Sequence, residues 1–288
     1  MTTEELLDVI RNHEAHIDWG HVTSEHNGHK LRIAVMSDAI RFDNVPPMNW
    51  HREPRAPRAN EQATYDGVRL PATANEMQQV ADLLGSMMLT PKVLDLVWQQ
   101  APRQFDPVTN VSGQIVAMCD IHVVHQAIEQ KIAAEGGDPR SIVASVGKYW
   151  VLSNRIVTTP KFGKQTACNY GWHSSGGQYP AVTKGLKVWQ AEGTQHNSAH
   201  RDPSQVIRLM YQWAWLLRAG SHVWEQVHLH DIAADPDLCG LINHDGVLKV
   251  LRQPSVPPPQ PVKQPDGTIL MPEVYILGDP SPQPEDLV

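Results

Sequence analysis

The residues able to do chemistry gather in one stretch. From Cys168 the chain reads Cys-Asn-Tyr170-Gly-Trp172-His173, then His196-Asn-Ser-Ala-His200-Arg-Asp202, then Ile207-Arg208-Leu209. His196, His200 and Asp202 place three metal ligands close together in sequence, and His173 would supply one more; such a set holds a zinc ion with a position open for water, whose pKa falls to ~7. Without a metal, His173 or His196 is the candidate general base and Asp202 the carboxylate that orients it. Cys168 is the candidate nucleophile, to be activated by His196. Tyr170, Trp172, Arg208 and Lys92 are the expected substrate-binding residues, the first two by stacking and the last two by charge.

These groups need elements to position them. In a strand, side chains alternate faces, so Cys168, Tyr170 and Trp172 are expected on one face and Asn169, Gly171 and His173 on the other. Ser174-Ser-Gly-Gly177 reads as a turn, and Leu186–Gln190 as the returning strand of a hairpin that carries the 194–202 loop to the Tyr-Gly-Trp-His end. Over Gln205–Leu217, Asp202-Pro203 with Gln205 would cap a helix, yet Ile207, Leu209, Tyr211, Trp213, Trp215 and Leu217 alternate strictly, and the aromatic, period-2 content favours a strand over the helix alternative. The Ile142–Val146 and Tyr149–Leu152 runs predict two more.

The first half carries helix signals instead. Thr2 with Glu5 and Thr73 with Glu76 are capping boxes, and Thr90-Pro91 pairs an N-cap with proline at the first helical position. The helices opened at Thr73 and Thr90 are expected to form a hairpin. A third helix follows Asp120, with His125 on its buried stripe as a hydrogen-bonded core residue. His13, His16, His21, His26 and His29 have no acidic or thiol partner in register and read as a solvated loop; the proline-punctuated stretch 46–57, with Trp50 and His51, reads as a cover or lid.

Composition narrows the function classes. A formal charge of -7 without a Lys/Arg run excludes a nucleic-acid footprint, so no nucleic acid is expected as partner. Three widely spaced cysteines, Cys119, Cys168 and Cys239, build neither a disulfide framework nor a zinc knuckle. The acidic start is no secretion signal, and no apolar run approaches the ~20 residues of a membrane span; a cytoplasmic location and no membrane partner are expected. No phosphate-cradling glycine motif occurs.

The fold expected is α+β: an N-terminal helical hairpin plus a helix, packed on a C-terminal, mainly antiparallel sheet. One domain spans 1–252, helical to about 137 and β-rich from about 138. Residues 253–288 hold 10 of the 23 prolines and read as an extended tail, suited to wrapping its own domain or docking on a neighbouring subunit of a homo-oligomer.

Leu89-Thr-Pro-Lys92 with Asp95, Tyr170-Gly-Trp-His173, His196, Asp202-x-Ser204-x-x-Ile207-Arg-Leu209 and the Leu229–Leu238 segment together resemble a family of microbial proteins to which no activity is attached. The likeness spans roughly residues 30–250 and leaves out the tail. It implies that Cys168 and His200 are dispensable, since the family carries an aliphatic and an aromatic residue there. The functional expectation is a hydrolase of a peptide or glycan polymer, metal-assisted or histidine-based. The alternative is a non-enzymatic structural or binding protein whose tail docks on a neighbour.

Overall fold

The computed structural model describes residues 1–176, 181–264, 266, 268–272 and 274–281. The expected Ser174–Gly177 turn lies partly outside them, as do the last residues of the tail. The chain is mixed helix and antiparallel sheet, an α+β protein.

Helix α1 (Thr3–Arg11) buries Leu6, Leu7 and Ile10 and is closed by the Thr2/Glu5 capping box. The histidine-rich segment that follows is not a loop. It forms strand β1 (Trp19–His26) and the start of β2 (His29–Met36), paired antiparallel from Trp19–Met36 to His26–His29. Asn27 and Gly28, at φ 49° and 78°, make the two-residue turn that matches strand twist. Histidine content obscured an Asn-Gly hairpin signal.

Helix α2 (Ala74–Leu83) carries the second capping box and α3 (Pro91–Gln100) the Thr90 N-cap. Between them the chain does not simply turn back. Ser86–Met88 is a strand, β3, paired with the later β8 (Leu209–Leu217), so a sheet edge separates two helices expected to form a hairpin. Helix α4 (Ile121–Glu135) buries Ile121, His122, His125, Ile128 and Ile132 and ends at Gly136.

Strands β4 (Lys148–Val151), β5 (Cys168–Ser174), β6 (Ala181–Thr183) and β7 (Leu186–Gly193) form one sheet in the order β6-β7-β5-β4. The strand expected at 142–146 does not form: the segment makes a single bridge, from Val143 to Arg103, and Ser145 takes a positive φ of 65°. The strand β8 and β9 (Trp224–His228) join the first hairpin in the order β9-β8-β2-β1, with β3 beside the start of β8. The two halves of the chain therefore share a sheet. Helix α3 packs on both β1 and β5, which places its polar residues where the two sheets meet. Two short helices, α5 (Arg155–Thr158) and α6 (Leu229–Ala234), complete the set.

The tail lies along its own domain. Arg252 pairs with both oxygens of Asp82, Gln253 bonds to Gln78 and Thr166, Tyr275 donates its N–H to Leu83, and Trp19 donates its indole N–H to Leu277. Among the described residues no helix is long and apolar enough to cross a membrane.

Candidate functional site

The site is built on the first turns of α3. Thr90 caps the helix and donates its hydroxyl to the Ile242 carbonyl, and the Lys92 ammonium donates to the Gly240 carbonyl. These two bonds hold the 239–244 turn against the helix. Asp95, one turn further on and 4% exposed, then meets three side chains. Its Oδ1 accepts the Tyr170 hydroxyl at 2.7 Å and His173 Nε2 at 2.8 Å, and its Oδ2 accepts His244 Nε2 at 2.8 Å.

An ionised carboxylate only accepts hydrogen bonds, so both imidazoles carry a proton on Nε2. Burial works against the charge of Asp95, yet the bonds from His173, His244 and Tyr170 outweigh it and hold the carboxyl below its usual range. Burial, and then the adjacent Asp95 charge, pushes the Tyr170 phenol up. Lys92 is pulled down by burial, with Asp95 opposing.

Tyr170 and His173 were expected on opposite faces of their strand. They reach the same oxygen because the alternation breaks between them: Gly171 has φ 129° and Trp172 φ 57°, just past the point where the ladder to β7 shifts register between Asn169 and Gly171. His173 is buried, stacks on Trp98 at 5.8 Å between centroids, and its carbonyl accepts the Ser145 hydroxyl. His244 is different. Its side chain is 25% exposed, and its Nδ1 makes no hydrogen bond among the described residues.

The other expected site residues lie elsewhere. His196 and His200 stack face to face at 4.0 Å and 6° against the edge of Trp150; burial lowers both, and each sits in the positive field of Lys148. Asp202 accepts Lys148 at 3.1 Å and the Ser204 amide at 2.9 Å, and makes no hydrogen bond to either imidazole among the described residues. Asp202 thus orients no histidine, and His173, committed to Asp95, does not join His196, His200 and Asp202 around a metal.

Cys168 is 1% exposed, and burial, then Glu192, pushes its thiol up to about 12; a thiol so placed does not become a nucleophile at neutral pH. Arg208 is fully buried and donates to the Met36, Val143 and Ser37 carbonyls at 2.7–2.8 Å, joining β2 to the 142–146 segment. It binds backbone, not substrate. Tyr170 is equally buried, its hydroxyl spent on Asp95, whereas Trp172 is half-buried with the Lys148 ammonium 5.1 Å from its ring.

Among the described residues, one group of three possible ligands gathers within 4.8 Å: Glu61, Asp120 and His122. Arg55 already occupies it, donating to both Glu61 oxygens at 2.6 and 2.7 Å and to Asp120 Oδ2. That guanidinium holds Glu61 down at about 2 and clasps the 46–60 loop to the start of α4. A cation would have to displace it.

Of the groups that meet here, Asp95 entered the sequence reading only within the Leu89–Lys92 motif, and His244 not at all. Asp95 follows Lys92 by three residues, one helical turn, which was a usable signal. His244, in Asn-His-Asp-Gly, looks like any surface turn until α3 is beside it. No family model matches the chain, and no solved structure matches it.

Proposed function

We propose that the protein is a hydrolase of a peptide or glycan polymer in which His244 is the general base and Asp95 the carboxylate that orients it. One observation carries this reading: a buried, ionised carboxylate fixes Nε2–H of a partly exposed imidazole whose Nδ1 has no hydrogen-bond partner among the described residues. His244 Nδ1 takes a proton from water as the water attacks the scissile bond, and returns it to the leaving group. Asp95 stabilises the imidazolium in between. His173 and Tyr170 fix the carboxylate from its other oxygen, and Lys92, one turn away on α3, adds positive charge beside it.

A metal-assisted version would rest on Glu61, Asp120 and His122, where zinc would have to expel Arg55; the Asp95 site needs no ion pair broken. A second reading, a binding protein whose tail meets a neighbouring subunit, is favoured by the exposed apolar side chains of the tail. Ile269, Leu270, Met271, Val274 and Ile276 are each more than half exposed.

The test is release of new amines from peptide polymers and of reducing ends from glycan polymers. Wild-type protein and a Cys168→Ser variant should release one or the other, and His244→Asn should be slower by about 10²–10⁴-fold, the usual contribution of a general base. Equal rates in His244→Asn and wild type would remove His244 as the base, and no release from either polymer would remove the hydrolase reading.

A further inference from the structure

The β9-β8-β2-β1 sheet turns one face to the core and the other outward. Val22, Ile33, Ala214 and Leu216 are buried, and alternation puts Trp19, His21, Arg32, Trp213 and Trp215 on the opposite face. Trp19 meets Tyr211 edge to face there, 6.1 Å between centroids. The outer face is therefore an aromatic surface rather than a charged one.

The chain's own tail is seated on it. The Trp19 indole donates to the Leu277 carbonyl at 2.7 Å, and His21 Nε2 lies 3.2 Å from the Pro280 carbonyl oxygen. A carbonyl oxygen only accepts, so His21 carries a proton on that nitrogen. Between the two anchors Gly278 has φ 72°, and a Cβ there would stand 2.9 Å from the Ile17 carbonyl oxygen and 3.0 Å from the Trp19 ring. Glycine alone lets the tail lie this close to the strand. Pro280 is buried, and lines one pocket with His21, Tyr211, Trp213 and Trp215.

Ring N–H donors that grip backbone carbonyls, beside an aromatic pocket that takes a proline ring, are the means by which extended proline-containing segments are recognised; the stiff backbone of such a segment loses little entropy on docking. The tail leaves part of the face open. Trp213 is 38% exposed, and Gln226, which opposes Trp215 across the ladder, is exposed too. We propose that this face docks an extended, proline-containing segment of another protein, and that residues 277–280 of the chain itself occupy it until that segment arrives. The tail of a second copy would make only the contacts already made in cis, against a tethered competitor at about millimolar effective concentration. A foreign segment gains by covering Trp213 and Gln226 as well. The inference concerns binding alone and does not depend on the hydrolase reading.

Calorimetry on the full chain tests it, with the acetylated, amidated peptide Ile-Leu-Gly-Asp-Pro-Ser, the sequence of residues 276–281, as the probe. Pro280→Ala, which takes the proline out of the pocket, is expected to bind the probe at least tenfold more tightly than wild type, because the tethered competitor is weakened. Gly278→Ala, which forces the tail off Trp19 and leaves the pocket intact, should act in the same direction and covers the case in which Pro280→Ala perturbs folding. Alanine in place of proline in the probe, or Trp213→Ala added to Pro280→Ala, should each weaken binding at least tenfold. Four results would each overturn the proposal: no binding to either tail variant at millimolar concentration, equal affinity in wild type and both tail variants, equal binding of the alanine probe, or a concentration-dependent doubling of the wild-type mass that Pro280→Ala abolishes, which would give the face to a second copy.

Discussion

Cys168 and His244 exchange the roles their chemistry suggests, and solvent decides it. A thiol sealed in the sheet stays protonated at neutral pH, while the imidazole at the rim, gripped by one nitrogen, has the other unbonded among the described residues, as the proposed base requires. Burial sets the pH response as well. His125 is held down to about 4, by burial first and by the Arg69 charge second, whereas an unfolded imidazole takes its proton near 6.5. The unfolded chain therefore binds more protons between those values, so the stability contributed is complete above pH 6.5 and drains away as pH falls toward 4. Melting temperature followed across that window should decline in the wild type and decline less in His125→Gln. His122, His196, His200, His228 and His230 are shifted the same way, so the slope shrinks rather than vanishes. An unchanged slope would mean that His125 is already protonated in the folded state.

At the scale of elements, β5 shows how a strand escapes its own periodicity. Ordinary alternation would send Tyr170 and His173 to opposite faces; the positive φ of Gly171 and Trp172 brings them together on Asp95. An alanine at 171 has room, its Cβ meeting the Tyr149 ring at 3.5 Å, but its φ of 129° suits only glycine. Gly171→Ala is expected to cost ~1–3 kcal/mol and to lower turnover, because relief of the strain moves His173 off Asp95; denaturant unfolding and a rate assay on the same preparation read both effects. The helices were legible because caps are local: Thr2 with Glu5, Thr73 with Glu76 and Thr90 with Pro91 each open a helix where three or four residues say so. The β1–β2 hairpin is equally legible in Asn27-Gly28, the pair whose positive φ angles its two-residue turn requires.

At the scale of the whole molecule, two devices join segments far apart in sequence. Arg208 bonds three backbone carbonyls from two segments, and Arg208→Leu should destabilise by roughly 3–5 kcal/mol, the cost of orphaning buried partners of a charge; a chemical-denaturation curve measures it. The tail is the second device. Its described bonds run to its own domain, through Leu83, Trp19 and Asp82. Removal of residues 258–288 should lower the melting temperature by a few degrees and leave the mass in solution that of the same assembly less its tails. Conversion of an oligomer to a monomer would instead support the reading in which the tail meets a neighbour.

By itself the sequence determined what depends on a few consecutive residues: the capped helices, the α+β class, the stretch rich in reactive groups, and alternation over 205–217 that favoured a strand, which forms from Leu209 to Leu217. Tertiary structure decided which of those groups could act. Asp95, His173 and His244 are separated by 78 and 149 positions from the carboxylate outward, and no spacing rule reaches that far; only the packing of α3 between β5 and the 239–244 turn brings them within hydrogen-bond length. The His196, His200 and Asp202 set stays compact, its two imidazoles stacked, but Asp202 spends its hydrogen bonds among the described residues on Lys148 and Ser204. Chemistry at a site depends on distances in space and on exclusion of water, and the chain fixes both only when it folds.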